Sequence, residues 1–216
     1  MKKILIVGGT FCPPHQAHMA IITAVQNHFA FDQVIFVPCK EPVLDKAAGT
    51  SVTHRIAMLR LALKPFSNFI LDLCEIERDT PSYMITTLLH FRKKLGEAVS
   101  ITLFMGMDNF LQFPRWHHWQ DILTLSHLLV VNRANITADL SPVLQTLLAN
   151  HKPTPDNNLS NKTVGTIELF DAGHYDISST YIRSMIQHAI KNKLPTDKLI
   201  TSTVRDYIDK HKLFLS

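Results

Sequence analysis

The chain of 216 residues is 46% apolar and 19% charged, a composition that allows one folded domain with a sizeable core. Its formal net charge of +4 and its pI near 9.0 suit anionic ligands, but no block of Lys and Arg indicates a nucleic-acid-binding protein. No apolar run approaches the roughly 18–20 residues that span a bilayer, and the N-terminus lacks the apolar region of a signal peptide. We therefore expect a cytoplasmic protein with no membrane or nucleic-acid partner. Its three dispersed cysteines are predicted to be reduced thiols.

Strand-like runs rich in Ile, Val, Leu and Phe alternate with helical patterns along the chain, which predicts an α/β fold. The runs show little polar alternation, as expected for a doubly wound parallel sheet covered on both faces in three α/β/α layers. Strands are predicted at 3–7, 33–37, 100–105, 128–132 and 166–170, with 70–74 as a candidate for a further short strand. Helices are predicted at 18–29, 53–63, 82–95, 116–125, 178–191 and 201–211, the last forming a small C-terminal helical part. We expect a single domain over 1–216, with a helical piece and then a surface loop at 135–162.

The first predicted strand leads into a segment that contains two glycines and two histidines. Gly8 and Gly9 allow the backbone to approach a phosphate closely, and the following helix directs its N–H groups at the same anion. His15 and His18 are three residues apart near that helix start, so both rings can face one phosphate. In enzymes that transfer phosphoryl or nucleotidyl groups, stabilisation of charge contributes more to catalysis than covalent chemistry does. From these residues alone, an ordinary turn with polar or metal-binding histidines remains an alternative.

A second pattern typical of phosphate binding lies at 177–183, where hydroxyl side chains precede a predicted helix. The hydroxyls can cap the helix and donate to phosphate. Arg183 would return to the same end of the helix, where its guanidinium can bind phosphate through two hydrogen bonds. The alternative is a simple helix cap with Arg183 facing solvent.

Residues 8–18 and 177–183 resemble the GGTFDPxHxGH and ISSTxIR motifs of the HxGH adenylyltransferases and cytidylyltransferases, enzymes with a Rossmann-like fold. The sequence departs from the first motif at Cys12, where Asp is usual, and at Ala17, where Gly is usual. The resemblance implies that His15, His18 and Arg183 are catalytic. It also implies that ATP is bound by the remaining motif residues, namely Gly8, Gly9, Thr10, Phe11, Ile177, Ser178, Ser179 and Thr180.

The segment from Gly106 to Trp119 is similar to the GxDxxxxFxxWxxW stretch of bacterial nicotinate mononucleotide adenylyltransferases. Gly106 and Asp108 would follow a strand, where the Asp108 carboxylate could accept hydrogen bonds from the ribose or adenine of ATP. The flat indole of Trp116 suits stacking on a pyridine ring. His117 is the neighbouring candidate for binding the nicotinate nucleotide, with an ordinary surface position as its alternative.

Residues 78–88 resemble the RxxxPSYTxxTL segment of the same enzymes, with Met84 in place of Thr. The resemblance implies that backbone N–H groups near Tyr83 and Met84 receive the nicotinate carboxylate. Residues 38–46 stand where the family has a Pro-Pro-His-Lys sequence. Lys40 is predicted to contact the nicotinate nucleotide, and Lys46 to neutralise the triphosphate as a further catalytic residue.

Two arginines fit other positions of the family. Arg133 closes a predicted strand at a position near ATP. Arg55 belongs to an RxxML pattern to which no role is assigned.

The resemblance implies that ATP and nicotinate mononucleotide react to give nicotinate adenine dinucleotide and pyrophosphate. Mg²⁺ would be bound mainly through the ATP phosphates, so no protein ligand set is predicted. Two alternatives remain: another HxGH transferase that accepts nicotinamide mononucleotide or phosphopantetheine, and a nucleotide-binding sensor without catalysis. The sequence indicates no oligomeric state.

Overall fold

A parallel sheet lies at the centre of the computed structural model, which describes residues 1–42, 49–132, 140–173, 179–192 and 199–214. In this described part, six strands follow the order β3-β2-β1-β4-β5-β6, and all their pairings are parallel. The strands are β1 (Lys3–Gly9), β2 (Gln33–Pro38), β3 (Phe69–Leu71), β4 (Ser100–Gly106), β5 (His127–Asn132) and β6 (Ile167–Asp171). This order confirms the doubly wound, Rossmann-like sheet, in which the strand order reverses between β1 and β4.

Helices connect the strands and close both faces of the sheet. They are α1 (Gln16–Phe29), α2 (Val52–Leu63), α3 (Cys74–Glu77), α4 (Met84–Leu95), α5 (Met107–Leu111), α6 (Ile122–Leu125), α7 (Pro142–His151), α8 (Ser179–Asn192) and α9 (Ser202–Lys210). Local chemistry sets several of their ends. The hydroxyls of Ser51 and Thr201 cap α2 and α9, and Gly96 follows the last residue of α4, as expected for N-cap and C-terminal positions.

Alternate residues of β1 serve two separate cores, which confirms the three-layer arrangement. Leu5 and Val7 pack with residues of α1, α2, α8 and α9. Ile4 and Ile6 pack with residues of α4, α5, α6 and α7 on the opposite face. Because side chains alternate between the faces of a strand, apolar residues at every position are required for a sheet covered on both sides.

Two predicted elements are wrong in extent. Instead of one helix at 116–125, the chain forms a 3₁₀ turn at Trp119–Asp121 and the short α6, and another 3₁₀ turn, Phe113–Arg115, comes just before this range. His118, between the two 3₁₀ turns, adopts a left-handed conformation with φ of 51°, which an α-helix of L-residues does not accommodate. The predicted strand at 70–74 ends at Leu71, because the carboxylate of Asp72 accepts the N–H of Cys74 and turns the chain into α3.

The region predicted as a helical piece and a loop is confirmed over 140–162, while 133–139 lies outside the described residues. Helix α7 is followed by a loop that side chains fasten to the sheet. The ring of His127 bonds to the carbonyl of Lys162 and to the N–H of Thr166, and His151 bonds to the carbonyl of Gly165. No helix in the described part of the chain is long and apolar enough to span a membrane. All three cysteines are free thiols, as predicted.

Candidate active site

A cavity of about 790 Å³ opens at the carboxyl ends of β1 and β4, where the strand order reverses. Open parallel sheets bind their ligands at this kind of position. The cavity gathers segments that are far apart in the sequence: the loop after β1, the loop after β2, the start of α4, and the turns that follow β4.

Most of the predicted site residues that the structure describes line this cavity. They are Gly8, Gly9, Thr10, Phe11, His18, Tyr83, Met84, Gly106, Asp108, Trp116 and His117. The described residues His15, Lys40 and Arg183 lie outside its lining. Lys46, Arg133, Ile177 and Ser178 lie outside the described residues, and so do the side chains of Ser179 and Thr180, whose backbone begins α8.

The two motif histidines form a rigid stacked pair at the start of α1. Their ring centroids are 3.5 Å apart with an interplanar angle of 19°. Nδ1 of His15 accepts the N–H of His18 at 3.3 Å, and Nδ1 of His18 accepts the N–H of His15 at 3.4 Å. Since each Nδ1 is an acceptor, the proton of each neutral ring lies on Nε2. His18 lines the cavity, while the buried His15 packs against its ring.

Gly8 lies against the side chain of Met84, a contact that the sequence did not indicate. A Cβ at Gly8 would lie 2.6 Å from Cε of Met84, so the end of this flexible side chain would have to shift to admit it. The thioether of Met84 thus packs on Gly8 near the end of β1, where the phosphate loop begins. This contact joins the phosphate loop to the start of α4, the two segments predicted to bind different substrates.

Replacing Gly8 with alanine is expected to destabilise the protein by about 1 kcal/mol or less, below the usual cost of overpacking, because the obstructing atom is the end of a flexible side chain. Truncating Met84 to alanine in the same chain should remove this loss, because the methyl group that obstructs Cβ is absent. A double-mutant cycle by urea unfolding measures the coupling, which we expect to be about 0.5 kcal/mol. Gly106→Ala is the matched control, since nothing lies within 4 Å of its Cβ. Additive effects of the two substitutions would contradict this account.

Cys12, the main departure from the first motif, faces the protein interior. It is 2% exposed and lies outside the cavity lining. Burial raises the pKa of its thiol, although nearby backbone N–H groups and the charges of Arg183 and Arg55 oppose this shift. Nη1 of Arg183 donates to the Cys12 carbonyl at 3.1 Å. The residue that is unusual in the motif therefore lies outside the cavity lining, and its contact with Arg183 is made by its backbone.

The aromatic side chains of Tyr83, Trp116 and His117 form another part of the cavity wall. The rings of Tyr83 and His117 stack with centroids 4.2 Å apart, and Trp116 packs edge-on against Phe113 at 5.6 Å. Tyr83 also immediately precedes α4, and its side chain does not cap that helix. The first N–H groups of a helix have no partner within the helix, so this wall combines flat apolar surfaces with donors suited to an anion.

Several lining residues were missing from the sequence-based prediction, among them Cys39, Glu75, Ser82 and Arg115. Glu75 is a buried carboxylate that accepts the hydroxyl of Thr87 and lies 3.6 Å from the guanidinium of Arg78. It belongs to the short helix α3 and to none of the motifs, so the sequence carried no signal for it. Ser82 lies inside a recognised motif and could have been named.

Lys40 is held at the rim of this site rather than in its lining. Its ammonium donates to the carbonyl of Arg78 at 3.0 Å and lies 3.7 Å from Asp79. Its backbone N–H donates to the hydroxyl of Ser82 at 3.0 Å. In this structure Lys40 therefore joins the loop after β2 to the loop before α4.

The carboxylates around the cavity do not form a metal-binding cluster in the described part of the chain. Asp72, Cys74 and His90 are the group of three whose ligand atoms come within 4.8 Å of one another, and they lie outside the cavity lining. Burial and the Asp72 carboxylate raise the pKa of Cys74 to about 12, and the ammonium of Lys94 is 3.0 Å from Asp72.

Comparisons with known proteins agree with this fold. A family model described as cytidylyltransferase-like matches residues 6–185. A protein of Legionella pneumophila (strain Lens) named "Probable nicotinate-nucleotide adenylyltransferase" is 43% identical over 99% of this chain and 100% of its own. A protein of the same name from Pseudoalteromonas atlantica is 36% identical over 97% of this chain and 93% of its own.

Among solved structures, Plasmodium falciparum nicotinic acid mononucleotide adenylyltransferase complexed with NaAD has a TM-score of 0.72, covering 99% of this chain and 98% of its own. At 19% identity this likeness concerns the fold. Fold and site together define a nucleotidyltransferase. The chain belongs to the cytidylyltransferase-like family and, within it, to the nicotinate-nucleotide adenylyltransferases.

Proposed function

We propose that this enzyme transfers the adenylyl group of ATP to nicotinate mononucleotide, a step of NAD biosynthesis, and releases pyrophosphate. The observation that carries the proposal is the shared cavity. One side presents the glycine loop and His18, which suit the phosphates of ATP. The other side presents Trp116 and the start of α4, which suit an aromatic ring that bears a carboxylate.

In the proposed reaction, a 5′-phosphate oxygen of nicotinate mononucleotide attacks the α-phosphorus of ATP. A new P–O bond forms, the bond from the α-phosphorus to the bridging oxygen breaks, and the electron pair leaves with pyrophosphate. The N–H donor of His18 would stabilise charge on the reacting phosphates, and His15 would keep the His18 ring in place. Arg183 and Lys46 remain predicted contributors to the same charge stabilisation.

Mg²⁺ is proposed as the partner of ATP, because transfer of this kind concentrates negative charge on phosphate oxygens. When bound, it would neutralise that charge and orient the phosphates. It would be held by ATP and water. Glu41, Glu75 and Asp108 line the cavity, but Glu75 is already engaged by Arg78 and Thr87.

Pyrophosphate release tests the function. The enzyme is supplied with ATP and Mg²⁺ and, in parallel, with nicotinate mononucleotide, nicotinamide mononucleotide or phosphopantetheine. We expect clear preference for the first. Preference for either of the other two would identify that compound as the acceptor, and ATP binding without turnover on any of them would favour a non-catalytic sensor.

A cytoplasmic location stays a prediction, which cell fractionation would check.

Replacing Trp116 with alanine is expected to raise the KM for nicotinate mononucleotide about 10- to 100-fold, since stacking of a base on an aromatic side chain contributes about 1–3 kcal/mol. The KM for ATP should stay within about twofold, because Trp116 belongs to the turns after β4 and to neither phosphate motif. Steady-state kinetics with each substrate varied in turn measures both values. Trp119→Phe is the control, since Trp119 packs against the core and lies outside the cavity lining. Equal changes in the two KM values would exclude a specific contact with the acceptor.

A further inference from the structure

Arg55 is a buried cation that lies directly behind the cavity. It belongs to α2 and is 1% exposed. Its Nη1 donates to the carbonyl of Thr10 at 2.9 Å, and its Nη2 donates to the carbonyls of Cys39 and Lys40, both at 2.8 Å. One guanidinium therefore holds the loop after β1 and the loop after β2 together.

Further hydrogen bonds connect these loops to both walls of the cavity. The N–H of Cys39 donates to the carbonyl of Gly9 at 3.0 Å. The N–H of Lys40 donates to the hydroxyl of Ser82 at 3.0 Å, and Ser82 lies two residues before Met84, where α4 starts. A continuous set of contacts thus runs from the glycine loop, through Arg55, to the helix start on the acceptor side.

Burial of the Arg55 guanidinium costs free energy, so arginine is an inefficient choice if its role is only to stabilise the fold. Its described hydrogen-bond partners are neutral carbonyls rather than a carboxylate. Removing a cation from water costs several kcal/mol, and well-packed apolar side chains of similar volume often stabilise a protein as well. What an apolar side chain cannot do is hold three carbonyls of two loops in a fixed arrangement, which the planar fork of arginine does.

We infer that Arg55 is a positioning residue for adenylyl transfer, which fixes the distance between the ATP-phosphate loop and the acceptor-binding start of α4. The inference rests on the proposed function. Both substrates must be held so that the attacking oxygen lies in line with the bond that breaks, and a misplacement of about 1 Å can lower the rate about 100-fold. Loss of Arg55 should therefore lower kcat more than it weakens the binding of either substrate.

Arg92 provides a matched control within the same chain. It is 4% exposed, and it donates to the carbonyls of Leu125, Gly96, Val99 and Thr163 at 2.7 to 3.2 Å. Val99 immediately precedes β4, and Leu125 lies just before β5. Arg92 thus uses the same chemistry as Arg55 at the amino ends of the strands, whereas the cavity lies at their carboxyl ends.

The experiment compares Arg55→Lys and Arg55→Met with Arg92→Lys and Arg92→Met, each assayed well below its own Tm. Wild-type transfer to nicotinate mononucleotide is measured first, and its absence would refute the proposed function itself. With an active wild type, we expect both Arg55 variants to lose about 100-fold in kcat at saturating substrates, with KM values and the Kd of a non-hydrolysable ATP analogue changing less than tenfold. The Arg92 variants should lose Tm but keep kcat within about twofold.

Two results would overturn the inference. The first is a kcat for the Arg55 variants that equals that of Arg92 variants with a matching Tm, which would make Arg55 a structural residue only. The second is a rise in the KM for ATP with unchanged kcat, which would mean that Arg55 acts through its charge on ATP binding. The Lys variants retain the charge and lose the planar fork, so they decide the case if the Met variants do not fold.

Discussion

Alanine in place of His18 is expected to lower kcat about 100- to 1000-fold, the range observed when one preorganised donor to a charged transition state is removed. The expectation follows from the geometry of the pair. The Nδ1 of His18 accepts the N–H of His15, so a neutral His18 carries its proton on Nε2, and His18 lines the cavity. Because the loss is confined to the transition state, KM for both substrates should change much less than kcat.

Initial-rate kinetics, together with thermal unfolding, separate this effect from a loss of structure. The variant also loses one hydrogen bond of the cap of α1, which should cost about 1 kcal/mol. His188→Ala is the control, because His188 is exposed on α8. Turnover of the folded His18 variant close to that of the wild type would refute the assigned role.

The free energy of unfolding is expected to fall by about 3 kcal/mol as the pH is lowered from about 6.5 to 4, through His127 alone. Burial, together with the nearby charges of Arg92 and Lys162, lowers the pKa of His127 to about 4. The ring is neutral in the folded protein: its Nε2–H donates to the Lys162 carbonyl at 2.9 Å, and Nδ1 accepts the N–H of Thr166 at 3.1 Å. Between the two pKa values the unfolded chain binds a proton that the folded chain does not, so acid favours unfolding.

Urea unfolding at several pH values between 4 and 7.5 measures this loss in the wild type and in His127→Asn. The asparagine oxygen can still accept the N–H of Thr166, but it does not titrate. The variant should be less stable at pH 7.5, and the difference between the two proteins should shrink as the pH falls. Carboxylates that titrate in the same range affect both proteins equally. Parallel pH profiles would show that His127 is not the group responsible.

The local features of the site were readable from the sequence because each depends on neighbouring residues. Gly8, Gly9 and His18 follow a strand whose apolar run is continuous, and α1 begins where the histidine pair predicts a phosphate-binding helix start. Trp116 and the start of α4 were recognised from short motifs, and they line the same cavity. The helix at 116–125 was mispredicted because the left-handed conformation of His118 leaves no trace in apolar periodicity.

Contacts between distant segments could not be read in this way. Met84 was expected to act through its backbone, and the contact of its side chain with Gly8 had no signal in the sequence. Glu75 reaches the cavity only because β3 lies beside β2 at the edge of the sheet, which brings α3 towards the start of α4. Lys40 was expected in the site, and its ammonium is held instead by the carbonyl of Arg78.

The sequence by itself determined the alternation of strands and helices, the two phosphate motifs and the chemical class of the transfer. These features follow from hydrophobic periodicity and from spacings of a few residues, for which local backbone geometry fixes which side chains are neighbours. The tertiary structure alone decided the strand order, the cavity at the carboxyl ends of β1 and β4, and the contacts that Arg55 makes behind it. The physical reason is that these depend on which residues the fold brings together across 15 or more positions of chain, and hydrophobic burial selects that arrangement without a local signature.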